Sequence, residues 1–283
     1  MKHMAICDVC FRHCDIPEGQ SGFCKGRTCK DGKVISFNYG KITSIALDPI
    51  EKKPLRRFYP GSKIISIGSF GCNLNCPFCQ NYEISWSEEV EFMKKRARYI
   101  SPEEILKIAK IYIDKGNIGV AYTYNEPLIE YEYVLDCARI ISKNGLKNVL
   151  VSNGMVELPI LDKLLPYIDA MNIDLKSFDE DFYSRLLKGN RDQVLKFIEA
   201  ANRSCHIELT TLIIPGENDS VEHMRNLSSW IASLENGKNI PLHISRFFPA
   251  FKMTDREATD IDLVYRLADV AKEKLNYVYT GNC

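Results

Sequence analysis

Strand-like and helix-like segments alternate along the chain from residue 61 onward, and this alternation constrains the fold more than any other feature. Short apolar runs rich in β-branched residues predict six strands, at 63–69, 118–124, 148–152, 170–176, 206–214 and 241–247. Segments with helical spacing of apolar residues lie at about 102–115, 128–144, 158–166, 190–203, 220–236 and 260–275. The first of these helices has a capping box, Ser101-Pro102-Glu103-Glu104, with proline at its first position. Six consecutive βα units place their strands parallel, so the sequence predicts an α/β fold that closes, or nearly closes, into a barrel.

Polar residues follow the carboxyl end of each predicted strand, where the ligand of such a barrel binds because the βα loops converge there. The strand ends are Gly71 to Cys79, Tyr124 to Pro127, Ser152 to Gly154, Asp174 to Lys176, Ile214 to Asp219 and His243 to Arg246. Taken one at a time, several of them also fit ordinary turns, a helix cap or a structural ion pair. Together they offer the groups that a zwitterionic ligand with a ribose requires, from Glu126, Asn153, Asp174 and Lys176.

Three cysteines, Cys72, Cys76 and Cys79, lie on one short loop directly after the first predicted strand. Zinc sites pair such ligands with a second cysteine pair or histidines, and none follows before Cys137. Three thiolates can hold three irons of a cubic iron-sulfur cluster and leave the fourth iron without a protein ligand. An iron with an open position can bind a small molecule.

The cysteine loop, with Phe78 directly before the last cysteine, resembles that of the radical S-adenosylmethionine (SAM) enzymes. The resemblance implies that Cys72, Cys76 and Cys79 bind a 4Fe-4S cluster. It also implies that SAM chelates the unique iron through its amino and carboxylate groups, and that Phe78 lies near the adenine.

The chain from about residue 60 is also similar to the activating enzymes of glycyl-radical enzymes, whose cores are partial (β/α)6 barrels of TIM-like type. Further motifs resemble the radical SAM member of the AmmeMemoRadiSam system, a subgroup related to pyruvate formate-lyase activation. These motifs are Tyr39-Gly40, Asp48-Pro49-Ile50-Glu51-Lys52-Lys53-Pro54-Leu55, Pro60-Gly61-Ser62, Cys79-Gln80-Asn81-Tyr82 and Thr123-Tyr124-Asn125-Glu126-Pro127.

This resemblance implies roles for the remaining residues of the rim. Glu126 matches the acidic end of a Gly-Gly-Glu motif and is the candidate partner of the methionyl ammonium. Tyr124 and Asn125 replace the two glycines, and their side chains can donate hydrogen bonds instead. The positions that match those holding the ribose and carboxylate of SAM are Asn153, Asp174 and Lys176.

His243 and Arg246 lie in the sixth predicted strand. Alternation along this strand places His243 on the face opposite Leu242 and Ile244, away from the apolar packing. A similar segment lies close to SAM in the relatives, so we expect His243 to contribute to the rim.

Residues 1–60 are expected to form a cysteine-rich annex and a linker, and residues 61–283 the barrel. Four annex cysteines are candidate metal ligands, at Cys7, Cys10, Cys14 and Cys24, with Cys29 as a spare thiol. So small a unit needs a metal or a crosslink to fold. Structural zinc is the expected occupant, and a second iron-sulfur cluster that relays electrons is the alternative. The segment Asp48 to Pro60 is expected to be a solvated linker, or else a docking face.

The charges of the chain exclude some classes of partner. The 37 basic and 37 acidic residues cancel, so no overall field recruits nucleic acid or an anionic membrane. No apolar run predicts a transmembrane helix or a signal peptide. Eleven cysteines without an export signal indicate metal binding in the cytoplasm, a reducing compartment.

Three functions are compatible with this sequence. The first is reductive cleavage of SAM to a carbon-centred radical, by default 5′-deoxyadenosyl, that modifies a small molecule or lipid. The electron donor would then be a flavodoxin or ferredoxin, and the other proteins of the AmmeMemoRadiSam system would be partners. The second function is installation of a glycyl radical on a partner protein. The third is a non-catalytic iron-sulfur or zinc scaffold, against which the set of rim residues argues.

Overall fold

The computed structural model describes residues 4–86 and 95–283. Its strands are β1 (Met4–Ile6), β2 (Asp15–Pro17), β3 (Arg27–Lys30), β4 (Lys33–Ser36), β5 (Lys41–Ile42), β6 (Ser44–Pro49), β7 (Lys63–Gly68), β8 (Arg98–Tyr99), β9 (Asn117–Tyr122), β10 (Lys147–Ser152), β11 (Ala170–Asp174), β12 (His206–Ile213), β13 (Leu242–Arg246) and β14 (Val278–Gly281). Its described helices are α1 (Tyr82–Ser85), α2 (Pro102–Ile111), α3 (Tyr131–Lys143), α4 (Leu158–Leu164), α5 (Arg191–Asn202), α6 (Val221–Ser233) and α7 (Ile261–Lys272).

One large sheet organises the described part of the chain. It has eight strands in the order β14-β13-β12-β11-β10-β9-β7-β6. The pairs from β7 through β14 are parallel, and β6 runs antiparallel to β7 at the edge. All six predicted strands are present with their helices, which confirms the α/β partial barrel. The sequence reading missed β14, which has four residues and a weak apolar pattern, and β6, which lies inside the predicted annex.

The capping box at the start of α2 is confirmed. The Ser101 hydroxyl accepts a hydrogen bond from the Glu104 amide at 3.3 Å, and the Glu104 carboxylate accepts one from the Ser101 amide at 2.8 Å. Two of the amides that a helix start leaves without an intrahelical partner are thereby satisfied. The α2 helix packs against the sheet through Ile105 and Ala109, which are fully buried.

The segment between β6 and β7 enters the barrel, which corrects the expectation of a solvated linker. Ile50 and Leu55 are fully buried in a cluster with residues of β7, β9, β10 and β11. The Pro54 carbonyl accepts a hydrogen bond of 2.9 Å from the Asn172 amide group. The carboxylate of Glu208 accepts hydrogen bonds from the backbone amides of residues 56 and 57, at 2.9 and 2.7 Å. We call residues 50–58 the plug, since they fill the barrel below its carboxyl-end rim.

The cysteine-rich region packs directly on the barrel. Its hairpins are β1–β2 and β3–β4. The Glu157 amide donates to the Val9 carbonyl at 3.0 Å, and the Arg27 guanidinium forms two hydrogen bonds of 2.9 and 2.8 Å with Glu132 of α3. The division at residue 60 stays a prediction, while β6 belongs to the barrel sheet. Among the helices in residues 4–86 and 95–283, none is both long and apolar enough to span a bilayer.

Candidate active site

A cavity of about 380 Å³ opens at the carboxyl ends of the parallel strands. Ten of the residues predicted for the site line it: Cys72, Cys76, Phe78, Cys79, Tyr124, Asn125, Glu126, Asn153, Asp174 and Lys176. They come from loops that are up to about a hundred residues apart in the chain. Their convergence follows from the parallel strand order, which brings the βα loops to one rim.

The loop of Cys72, Cys76 and Cys79 is held by backbone and side-chain contacts on several sides. The Asn73 amide group donates to the Met155 carbonyl at 2.9 Å, and the Lys252 amide donates to the Pro77 carbonyl at 2.8 Å. The Trp86 indole donates to the Leu74 carbonyl. These contacts hold the cysteine loop against three other parts of the chain.

The chemistry of these thiols fits an iron-sulfur cluster. Burial is the largest influence on the pKa of Cys76, and with the nearby Cys79 it outweighs the lowering effect of Lys176, so that the pKa rises to about 12. Because three buried thiolates repel one another, a bound metal cation is needed to hold them ionised. Within the residues that the structure describes, no three His, Cys, Asp or Glu side chains surround a position for a single metal ion.

Glu126 is a buried carboxylate at the back of the cavity, with 3 % of its surface exposed. Its oxygens accept hydrogen bonds from the Leu128 amide at 3.0 Å, the Ser152 hydroxyl at 2.9 Å and the Asn153 amide at 2.8 Å. Burial nevertheless raises the pKa of Glu126 to about 7. A cation that enters the cavity would therefore find a carboxylate that gains from its charge.

The two residues that replace the glycines before Glu126 have clear structural roles. Tyr124 has a φ of 74°, a left-handed conformation that glycine usually adopts. Asn125 accepts a hydrogen bond from the Ser69 amide at 2.9 Å and donates one to the Gly71 carbonyl at 3.2 Å. Asn125 thus ties the Glu126 loop to the cysteine loop.

Asp174 and Lys176 form an ion pair of 2.8 Å on the cavity wall. Burial lowers the pKa of Lys176, but Asp174 and Cys76 outweigh it, and the net shift is upward. Lys176 therefore stays charged beside the cysteine loop. The two residues form an ion pair and also line the cavity, and their contact with a bound ligand stays a prediction.

Asn153 links the loop that follows β10 to the cysteine loop. Its amide group donates to the Asn73 side-chain oxygen at 2.9 Å and lies 3.6 Å from the Cys72 sulfur. Its own oxygen accepts from the Met155 amide at 2.9 Å. Its contact with a ribose stays a prediction.

The sequence analysis did not assign Lys53, which lines the cavity and shares Asp48 with Tyr124 as a hydrogen-bond partner. Lys53 and the Tyr124 hydroxyl each donate to the same Asp48 oxygen at 2.8 Å. Burial raises the pKa of Asp48, but these hydrogen bonds outweigh it and bring the pKa down to about 2. The neighbouring Lys52 also lines the cavity. Lys52 and Lys53 lie in the sequence motif from Asp48 to Leu55. In a segment expected to be a linker, however, two lysines indicate solvated charges rather than cavity residues.

His243 lies outside the cavity, which corrects its expected place on the rim. It is 6 % exposed, and its Nε2 lies 2.6 Å from Glu208. Ser245, two residues further along β13 on the same face, does line the cavity. Alternation of side chains along β13 therefore predicted the correct face for His243, but not its distance from the cavity along the strand. Arg246 donates to the Thr259 carbonyl at 2.6 Å and does not line the cavity either.

The four predicted ligands of the annex share a small pocket, lined by Cys7, Cys10, Cys14 and Cys24. Cys29 is not part of it, and its sulfur lies 3.5 Å from a Glu18 oxygen instead. The buried Arg27 also lines the pocket.

Comparison with known proteins places this geometry in a family. Residues 66–227 match the model of the radical SAM superfamily. An uncharacterised protein of Methanocaldococcus jannaschii is 40% identical over 280 residues, which are 98% of this chain and 80% of that protein. The pyruvate formate-lyase-activating enzyme of Clostridium pasteurianum is 25% identical over 206 residues, 71% of this chain and 80% of the enzyme.

A solved structure shares the fold. It is a domain of a pyruvate-formate lyase-activating enzyme from Bacteroides vulgatus, which matches with a TM-score of 0.51 at 17% identity. The match covers 58% of this chain and 99% of that domain. The matched family model and the relative that is 40% identical show that the chain belongs to the radical SAM superfamily.

Proposed function

We propose that this protein reductively cleaves SAM at a 4Fe-4S cluster held by Cys72, Cys76 and Cys79. The cluster would supply one electron, received from a flavodoxin or ferredoxin in the cytoplasm, and an iron with an open position. The observation that carries the proposal is that the three cysteines share one cavity with Glu126 and Lys176. A charged pair of opposite sign beside an open iron suits a zwitterionic ligand.

The charges of the cavity assign a role to each side chain in this proposal. Glu126 accepts the methionyl ammonium, whose positive charge offsets the cost of a buried carboxylate. Lys176 pairs with the methionyl carboxylate. Asp174 and Asn153 hold the ribose, and Phe78 contacts the adenine. The walls around them exclude water from the radical that forms.

The default product is the 5′-deoxyadenosyl radical, which modifies a small molecule or lipid within the AmmeMemoRadiSam system. The alternative is installation of a glycyl radical on a partner protein. The similarity to the Clostridium pasteurianum activating enzyme favours that alternative. We also propose that Cys7, Cys10, Cys14 and Cys24 bind a metal centre, for which zinc and a second cluster are the candidate occupants.

The test is an anaerobic reaction of iron- and sulfide-reconstituted protein with SAM and dithionite, with the products identified by mass spectrometry. We expect 5′-deoxyadenosine and methionine from the unsubstituted protein. Cys76→Ala should lose at least a hundredfold of this activity, since a three-cysteine site needs every ligand. The matched control is Cys205→Ala, because Cys205 is partly buried at the opposite end of β12 and does not line the cavity.

Each result decides a part of the proposal. Full cleavage of SAM by Cys76→Ala would disprove the assignment of the cluster ligands. Methylthioadenosine in place of 5′-deoxyadenosine would show cleavage of a different carbon-sulfur bond. A protein that binds a full cluster but forms no product would support the scaffold function.

A further inference from the structure

The cysteines of the annex repeat the spacing of the active-site loop in reverse order. Each loop carries three cysteines within eight residues, with two and three residues between them. In the active-site loop the order is three then two, at Cys72, Cys76 and Cys79, and in the annex it is two then three, at Cys7, Cys10 and Cys14. Short loops with three thiolates are typical of iron-sulfur ligation. The annex adds Cys24, so its set can close all four iron positions.

The arrangement of the annex cysteines argues against a single zinc ion. Four sulfurs that bind a zinc ion each lie about 2.3 Å from it. In the part of the chain that the structure describes, no three Cys, His, Asp or Glu side chains surround a position for a single metal ion. The four cysteines nevertheless line one pocket. This arrangement favours a polynuclear cluster over zinc, because the ligands of a cluster bind different metal ions and lie further apart.

The surroundings of the pocket suit a buried anionic cluster. Cys7, Cys10 and Cys24 are each less than a tenth exposed. Apolar side chains from Val9, Ile16 and Ile129 close the pocket, and the Arg12 and Arg27 side chains line it. Two guanidinium groups offset part of the negative charge of four thiolates.

The annex pocket and the active-site loop are in direct contact. The carbonyl oxygen of Cys24 packs on Gly71, where a Cβ atom would lie only 2.3 Å from it. Arg12, between two annex ligands, donates to the carbonyl of Asn73 at 2.8 Å and also to that of Lys188. The contacts with Gly71 and Asn73 thus join Cys24 and Arg12 of the annex to the two residues adjacent to Cys72.

We propose that Cys7, Cys10, Cys14 and Cys24 bind a second 4Fe-4S cluster that passes electrons to the first. A reduced flavodoxin or ferredoxin loses one electron to the annex cluster, which then loses it to the cluster at Cys72, Cys76 and Cys79. No bond forms or breaks and no proton moves in this relay. The inference rests on the proposed function for the purpose of the relay, but not for the existence of the second cluster.

The first experiment counts metals and sulfide in anaerobically reconstituted protein. We expect roughly eight irons and eight sulfides per chain, because each cubic cluster holds four of each. A variant with Cys72→Ala, Cys76→Ala and Cys79→Ala together should keep about half of both. Its electron paramagnetic resonance signal should not change when SAM is added, since a cluster with four thiolates has no open iron. Four irons and one zinc in the unsubstituted protein would overturn the proposal.

The second experiment tests the relay with Cys10→Ser and the matched control Cys29→Ser, which changes a cysteine outside the pocket. We expect Cys10→Ser to lose at least tenfold in SAM cleavage driven by reduced flavodoxin, and much less when dithionite supplies the electrons. Equal losses with both reductants would overturn the relay. If Cys10→Ser does not fold, the triple variant at Cys72, Cys76 and Cys79 still reports the second cluster by its iron content.

The outcomes keep the two proposals separate. Two clusters in a protein that does not cleave SAM would contradict the proposed function and leave the second cluster established. Active cleavage of SAM by a protein with one cluster and one zinc would contradict the second cluster and leave the proposed function intact.

Discussion

Glu126 combines features that a structural carboxylate does not need. It is buried, it receives three hydrogen bonds from its surroundings, and it still has a pKa of about 7 because of burial. The raised pKa means that the proton is retained in the folded protein over a pH range in which an exposed glutamate is ionised. A bound ammonium would reverse this shift, so SAM binding and deprotonation of Glu126 are linked.

We therefore expect the affinity for SAM to fall as the pH decreases from 8 to 6, through the pKa of Glu126. In Glu126→Gln the affinity should be at least tenfold weaker, about 1.4 kcal/mol, and should lose this part of the pH dependence. Titration calorimetry on anaerobically reconstituted protein at three pH values measures both. The matched control is Glu130→Gln, because burial also raises the pKa of Glu130 but its carboxyl lies beside another, smaller pocket. An unchanged affinity in Glu126→Gln would exclude Glu126 as the ammonium partner.

The sequence indicated which residues line the cavity where those residues occupy strand ends, while their roles stay predictions. Cys76, Glu126 and Lys176 follow strands whose apolar pattern is clear, and parallel topology alone brings them together. The sequence did not predict that His243 lies outside the cavity. Alternation of side chains along a strand shows which face a residue lies on, but not its position along the strand. Lys53 was not assigned, because its burial depends on the plug, which no local pattern indicates.

Among the structural elements, the cysteine loop depends on one glycine. Gly71 has a φ of 93°, which side chains rarely adopt, and its missing Cβ leaves space for the Cys24 carbonyl. Gly61 has a similar φ of 81° but open space around it. The two glycines thus separate the cost of the backbone conformation from the cost of the contact between the annex and the loop.

Gly71→Ala should lower the free energy of unfolding by more than about 3 kcal/mol, since backbone strain and a backbone clash add. Gly61→Ala should cost only about 1 kcal/mol, from the backbone conformation. Urea denaturation of the reconstituted proteins measures both losses, and iron per chain shows whether the displaced loop still assembles its cluster. Equal losses of unfolding free energy in the two variants would show that the close contact between Gly71 and the Cys24 carbonyl adds no cost of its own.

Elements with strong local signals were predictable, and short ones were not. The α2 helix has a capping box and proline at its first position, so its start could be read from residues 101–104. The β14 strand has only four residues, all half-buried, and it exists because it pairs with β13. Edge strands of this kind are selected by tertiary pairing rather than by their own sequence.

The plug joins the annex side of the chain to the inside of the barrel, and Glu208 is the residue that holds it. Glu208 is fully buried, and it accepts hydrogen bonds from two plug amides. The rings of His206 and His243 lie 3.0 and 2.6 Å from its two oxygens. Burial raises the pKa of Glu208, but the hydrogen bonds from the histidines and the plug outweigh it and lower the pKa to about 2.

A carboxyl whose folded-state pKa lies below its unfolded value contributes stability above the unfolded pKa and loses it as the pH falls toward the folded pKa. For Glu208 that window runs from about 4.5, the ordinary value, down to about 2. Glu208→Gln should therefore lower the free energy of unfolding by on the order of 2–3 kcal/mol at pH 7, and the difference from the unsubstituted protein should shrink below pH 4.5. Chemical denaturation of metal-free protein between pH 7 and 3 measures this without a contribution from cluster loss.

The exposed Glu235→Gln is the control and should change little at any pH. If Glu208→Gln is as stable as the control at pH 7, the plug is held by its apolar residues, Ile50 and Leu55, and not by the buried carboxylate.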